Sequence, residues 1–114
     1  MGVVVATLLV YALQATAQPI RVGSKAFTEG VILGEVVTGL FASAGYEVTH
    51  RAGLGGTTFA WNALLAGELD AYPDYSGTLI QEVLAGDAIS GLAELEQVLA
   101  THGVRMAPPL GFNN

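Results

Sequence analysis

The sequence contains no cysteine, and that one absence excludes a disulfide framework, a thiolate-held metal and a catalytic thiol together. It also leaves no cysteine to carry a lipid behind an export leader, so the expectation is a freely diffusing periplasmic protein. Basic residues are nearly as scarce, four Lys and Arg against ten Asp and Glu, for a net charge of −6. Arg21, Lys25, Arg51 and Arg105 are scattered, so the clustered cations that nucleic acid or an anionic membrane surface requires are missing. Charged residues total only 12% against 52% hydrophobic, a balance that excludes a disordered chain and calls for a packed core. At 114 residues there is room for one small α/β domain and not for a large two-lobed protein. No internal repeat and no low-complexity tract interrupts it.

Long hydrophobic runs are also few. Val3 to Leu13 is the longest, short of the ~20 residues that span a bilayer. Ala15-Thr16-Ala17 follows it with the small-x-small pattern of a signal-peptidase site, so residues 1–17 read as a signal peptide and 18–114 as what export releases, with no membrane insertion after cleavage. Only Met1-Gly2 precede the run where Lys or Arg is usual, so a true start upstream is one expectation. A buried apolar helix or a membrane anchor is the competing reading of the same run.

The remainder alternates strand and helix patterns. Residues 20–24 read as a short buried strand breaking at Lys25. Thr28 then offers an N-cap oxygen, and Val31, Ile32, Leu33, Val36, Val37, Leu40 and Phe41 recur at helical spacing up to a C-cap glycine at Gly45. Residues 46–52 alternate as a second strand. The loop Gly53-Leu54-Gly55-Gly56-Thr57-Thr58 supplies hydroxyls to cap a helix through Leu65, ended by Gly67. Residues 69–72 predict a third short strand, stopped by Pro73. Helices follow over 77–85 and 92–102, the second capped by Ser90, and residues 104–107 suggest a fourth strand. This order implies a parallel sheet wound by helices, with ligands held in the loops at the carboxyl ends of the strands.

Three loops occupy that position: 25–28, 53–58 and 73–78. Each leads into a helix N-terminus, where free N–H groups favour an anion. Lys25 adds a formal positive charge, although a lone lysine behind a strand is usually just solvated. The glycine-rich loop lacks the Gly-Lys-Ser/Thr ending of a phosphate loop and the spacing of a dinucleotide fingerprint, and on its own is a tight turn. Around Pro73 two tyrosines, Tyr72 and Tyr75, meet the acids Glu68, Asp70 and Asp74. A quaternary ammonium has no N–H to donate and is held by aromatic faces, so this is the chemistry it needs. By composition alone the plainer reading is that Tyr72 fills the core and Tyr75 caps the sheet edge. The three acids lack a nucleophile or base beside them, and catalysis or metal binding is not expected. His50 and His102, with no Asp, Ser or Cys at suggestive spacing, read as surface residues, and Trp61, beside Leu64 and Leu65, as core.

Four ordered motifs carry a resemblance. Val22-Gly23-Ser24-Lys25-Ala26-Phe27-Thr28-Glu29, Gly53-Leu54-Gly55-Gly56-Thr57, the stretch Gly67-Glu68-Leu69-Asp70-Ala71-Tyr72-Pro73-Asp74-Tyr75-Ser76-Gly77-Thr78 and Pro109-Leu110-Gly111-Phe112-Asn113-Asn114 resemble the glycine betaine, carnitine, choline and proline-type substrate-binding proteins of ABC osmolyte importers. The resemblance implies a type II periplasmic binding protein fold, of which this chain is part of lobe I and incomplete. It implies a solute-binding component, not an enzyme, whose partners are a small quaternary-ammonium ligand and the importer's permease and ATPase, with no cofactor or metal. Matched by motif, Lys25 would pair with a ligand carboxylate, Tyr75 would wall a tyrosine cage, and Thr78 would donate to the same carboxylate. Thr57 and its neighbour Gly56 would line the crevice more loosely, with Ser24 and Tyr72 beside them. Ala26 and Asp74, the latter where Glu is commoner, depart from the family pattern at positions not expected to touch these contacts. In the family the chain passes from the last motif to a second lobe, so a fragment that binds weakly alone is expected. The competing functions are a small α/β enzyme or nucleotide-binding domain using the glycine-rich loop, and an exported fragment without ligand.

Overall fold

The structure is a computed structural model and describes residues 18–111; the leader assigned to 1–17 and the end of the fourth motif lie outside the described residues. Strand β1 (Ile20–Gly23) pairs in parallel with β2 (Val48–Arg51), in a register that sets Ile20 beside Val48 and Gly23 beside Arg51. Helix α1 (Thr28–Ser43) makes the crossover between them. On the other side of β1 a single parallel bridge joins Val22 to Ala71. Helix α2 (Thr57–Leu65) precedes that bridge. Helix α3 follows it, opening as one α-turn at Ser76–Thr78 and continuing with π-type bonding over Leu79–Val83. A 3₁₀ turn (Ala85–Asp87) and helix α4 (Leu92–Thr101) complete the described chain. The architecture is α/β with a small parallel sheet, as the alternation implied.

The third strand shrinks to one bridge because its backbone is already engaged. The N–H groups of Glu68 and Leu69 donate to Ala63 O at the end of α2, leaving only Asp70 and Ala71 to reach Arg21 O on β1. No strand forms at 104–107 among the described residues. There the Val104 N–H closes onto Leu99 O, while Val104 and Met106 pack against the core.

Helix starts also differ from expectation. Phe27, Gly56 and Gly91 occupy the N-cap positions, with extended backbone and no side-chain cap, so Thr28 and Thr57 are the first helical residues. Ser90 instead exchanges bonds with the Glu94 carboxylate, through its N–H at 3.1 Å and its hydroxyl at 3.0 Å. The glycine stops hold. Gly45 and Gly67, directly after the caps Ala44 and Ala66, have φ of 93° and 76°, a left-handed conformation that a Cβ penalises.

Two packing regions result. Trp61 of α2, Leu84, and Leu95 and Leu99 of α4 form a buried cluster, with Leu79, Ile80 and Val83 of α3 laid against it. Trp61 is core, as expected, and its ring meets His102 edge-on at 5.6 Å. Against the sheet, α1 buries Gly30 and Gly34, while Ile32, Val36 and Leu40 stay more than half exposed. The apolar residues that announce this helix are therefore not the ones it seats most deeply. At Gly34 glycine serves because β2 sends His50 up against the helix, and at Gly30 because the Phe27 ring lies there. The imidazole is bound on both sides, Nε2 to Ser24 Oγ at 2.7 Å and Nδ1 to Glu35 Oε1 at 2.6 Å. His50 is thus a buried link between β1, β2 and α1, its side chain only 7% exposed, and not the surface residue its sequence context suggested.

A Cβ on Gly34 would stand 2.5 Å from His50 Nε2 and 2.9 Å from Ser24 Cβ. The ring, held by two hydrogen bonds, has little freedom to withdraw. Gly34→Ala is therefore expected to destabilise the fold by about 1–3 kcal/mol in urea unfolding, despite alanine's better helix propensity. A neutral or stabilising result would contradict the tight seat.

Candidate ligand-binding site

The site is built where three loops meet beyond the carboxyl ends of β1 and β2. The Ser24 N–H donates to Arg51 O, the Leu54 N–H to Ser24 O and the Ala26 N–H to Gly55 O, lacing the first two loops by their backbones. Gly53 and Gly55 have φ of 70° and 87°, so the second loop needs glycine to make that turn. The third loop is drawn in by the bridge at Ala71 and anchored beyond Tyr75 by α3 on the Trp61 cluster.

Lys25 projects into the junction and is 6% exposed. Its Nζ donates to Thr57 Oγ1 at 3.1 Å and to Asp74 Oδ1 at 2.7 Å, and lies 5.4 Å from the centre of the Phe27 ring. Asp74 is equally buried, its side chain 4% exposed, and its Oδ1 also accepts the Tyr75 N–H at 2.8 Å. The rings of Phe27 and Tyr75 lie 6.4 Å apart with a 31° tilt. Burial, with the Asp74 charge behind it, pushes the Tyr72 phenol above its ordinary range and keeps it a neutral O–H donor. Even so, no hydrogen bond closes between that hydroxyl and Asp74.

Among the described residues, three of the four buried oxygens without a partner belong to the third loop. They are Tyr72 Oη, Asp74 Oδ2 and Tyr75 Oη, and the fourth is Glu29 Oε1 at the start of α1. Buried polar groups are otherwise nearly always paired, which sets the three oxygens of this short loop apart.

The structure thus brings together Lys25, Thr57, Tyr72 and Tyr75. Thr78 ends the α-turn that Tyr75 caps, half-buried, and Gly56 is the exposed N-cap of α2. Ser24 is placed elsewhere, fully buried with its hydroxyl on His50, because the side chain next to Lys25 on an extended strand end points the opposite way. With its serine sealed from solvent, the Ser24, His50 and Glu35 line is a structural link.

Two further corrections concern acids. Asp74, expected to stand clear of the contacts, is the counter-ion of Lys25. Asp70 does not converge on the crevice. It accepts from Arg21 through the backbone N–H at 2.7 Å and through Nε and Nη2 at 3.2 Å each. Those side-chain and backbone bonds hold its carboxyl below the usual range. Phe27 and Glu29 were also missed, although both stand inside the first motif. The signal available for Asp74 was its place between two tyrosines in a proline-stiffened turn.

A buried lysine and carboxylate thus sit at the strand ends of a parallel α/β unit, beside the rings of Phe27 and Tyr75. The family described as the substrate-binding domain of ABC-type glycine betaine transport systems matches residues 18–114, and the chain belongs to it. The glycine betaine-binding protein YehZ of Escherichia coli K12 is 41% identical over 61 residues, 54% of this chain and 20% of that protein. A glycine-betaine-binding protein of Pseudomonas aeruginosa is 34% identical over 106 residues, 88% of this chain and 33% of its own length. The structure of apo YehZ from Escherichia coli superposes with a TM-score of 0.67 at 30% identity, covering 75% of this chain and 33% of the other. The chain therefore spans a third or less of the length of these relatives. No helix among the described residues is long and apolar enough to cross a membrane.

Proposed function

We propose that this chain forms one wall of the solute site in the binding component of an ABC importer for a quaternary-ammonium osmoprotectant: glycine betaine, choline, carnitine or a related compound. Residues 18–114 form the N-terminal part of lobe I, exported behind the 1–17 leader to the periplasm, where the protein delivers its ligand to the importer's permease and ATPase and carries out no chemistry of its own. Family membership supports the class of transporter. The observation that carries the site is the run of buried, unpartnered oxygens on Tyr72, Asp74 and Tyr75 in one short loop, with the Tyr75 ring 6.4 Å from that of Phe27. Aromatic faces attract a permanent cation by ~0.5–2 kcal/mol per ring. The carboxylate oxygen adds a local negative charge, and Lys25, Thr57 and Thr78 are the groups available to a ligand's polar tail.

Tyr75→Ala removes one of those faces. It is expected to weaken choline and glycine betaine alike by roughly 2- to 30-fold, the range that ~0.5–2 kcal/mol implies. Calorimetric titration measures this, with a thermal-shift panel of betaine, choline, carnitine and proline to rank the ligands. Unchanged affinity for every trimethylammonium ligand would remove Tyr75 from the site.

A further inference from the structure

The two halves of the buried Lys25 and Asp74 pair are unequally satisfied. Asp74 Oδ1 is engaged twice, by Lys25 Nζ at 2.7 Å and by the Tyr75 N–H at 2.8 Å. Asp74 Oδ2 is buried with no partner in the protein, as are the hydroxyls of Tyr72 and Tyr75 on either side of it in sequence. Resting on the quaternary-ammonium reading above, two consequences follow. The cation that a ligand's carboxylate would seek is already neutralised by a resident carboxylate. The spare oxygen of that carboxylate lies among the residues that would face the ligand's ammonium. A second carboxylate brought to the same lysine would repel the first, and burial weakens solvent screening of that repulsion.

We propose that Asp74 sets the specificity of this site, competing with a ligand's own carboxylate for Lys25 while attracting the cationic head. The site thereby favours ligands of net positive charge, such as choline, over zwitterions carrying a carboxylate, such as glycine betaine, relative to the same site without that charge. Asp74→Asn isolates the effect, since the amide keeps the side chain's size and an oxygen to accept from Lys25 and from the Tyr75 N–H.

Calorimetric titration of choline and of glycine betaine into the full-length binding protein and into its Asp74→Asn variant tests the proposal. The ratio of choline affinity to betaine affinity is expected to fall at least fivefold in the variant. A smaller change, a shift toward choline, or an equal loss for both ligands overturns it and leaves Asp74 a structural partner of Lys25. Should the variant not fold, the unsubstituted full-length protein still decides the matter with split probes. Tetramethylammonium, the head without a tail, is expected to displace choline, whereas acetate, the tail without a head, is expected neither to bind nor to displace. Acetate binding overturns the proposal. If the unsubstituted full-length protein binds none of choline, betaine and tetramethylammonium, it is the quaternary-ammonium reading that fails.

Discussion

Lys25→Met is expected to lower the free energy of unfolding by about 3–5 kcal/mol, the usual cost of removing one partner from a buried ion pair. The size of the effect comes from what remains. Asp74, its side chain 4% exposed, would be left with only the Tyr75 N–H to offset its buried carboxylate. Thr57 Oγ1 would also lose its donor. Lys25→Met combined with Asp74→Asn removes both charges and is expected to recover most of the loss, since a buried pair as a whole contributes little net stability. Urea unfolding of the two single variants and the double variant supplies the cycle. A loss below about 1 kcal/mol for Lys25→Met would show that the pair behaves like an exposed one.

Trp61→Ala is expected to cost a similar amount, about 3–5 kcal/mol, for a different reason. The indole is 8% exposed and joins the Leu84, Leu95 and Leu99 cluster, while its ring meets His102 edge-on. Its removal opens a cavity under α3, the helix whose N-cap is Tyr75. The same substitution is therefore expected to weaken ligand binding although Trp61 lies outside the loop of the unpartnered oxygens. Urea unfolding and calorimetry on one preparation check both effects. Unchanged stability would mean that this cluster is not what holds α3 and α4 together.

The presence of Asp74 alters what Lys25 can do. Read alone, a lysine after the first strand offers a free positive charge to a carboxylate. In the folded protein that charge is answered from 49 residues away, so any ligand carboxylate meets a pair and not a bare cation. The selectivity of the site then depends on the balance between the two residues, which is why the comparison of choline with betaine is more informative than either affinity.

The residue pattern by itself determined the order of elements and most of their limits. β1, the crossover helix α1, β2, α2 and α4 fall where periodicity placed them, and Gly45 and Gly67 stop their helices because a left-handed backbone is a local demand that glycine meets at little cost. The position of the three site loops followed from the same alternation. Tertiary structure decided what those local rules do not contain. It reduced the third strand to the bridge at Ala71, because the N–H groups of Glu68 and Leu69 were taken by α2. It turned Ser24 away to His50 and brought Asp74 to Lys25, joining side chains 26 and 49 residues apart. Sequence spacing specifies neighbours within a turn of helix or a step of strand. Which distant charge completes a buried lysine is decided only when the loops close on one another and exclude the water that would otherwise have served both.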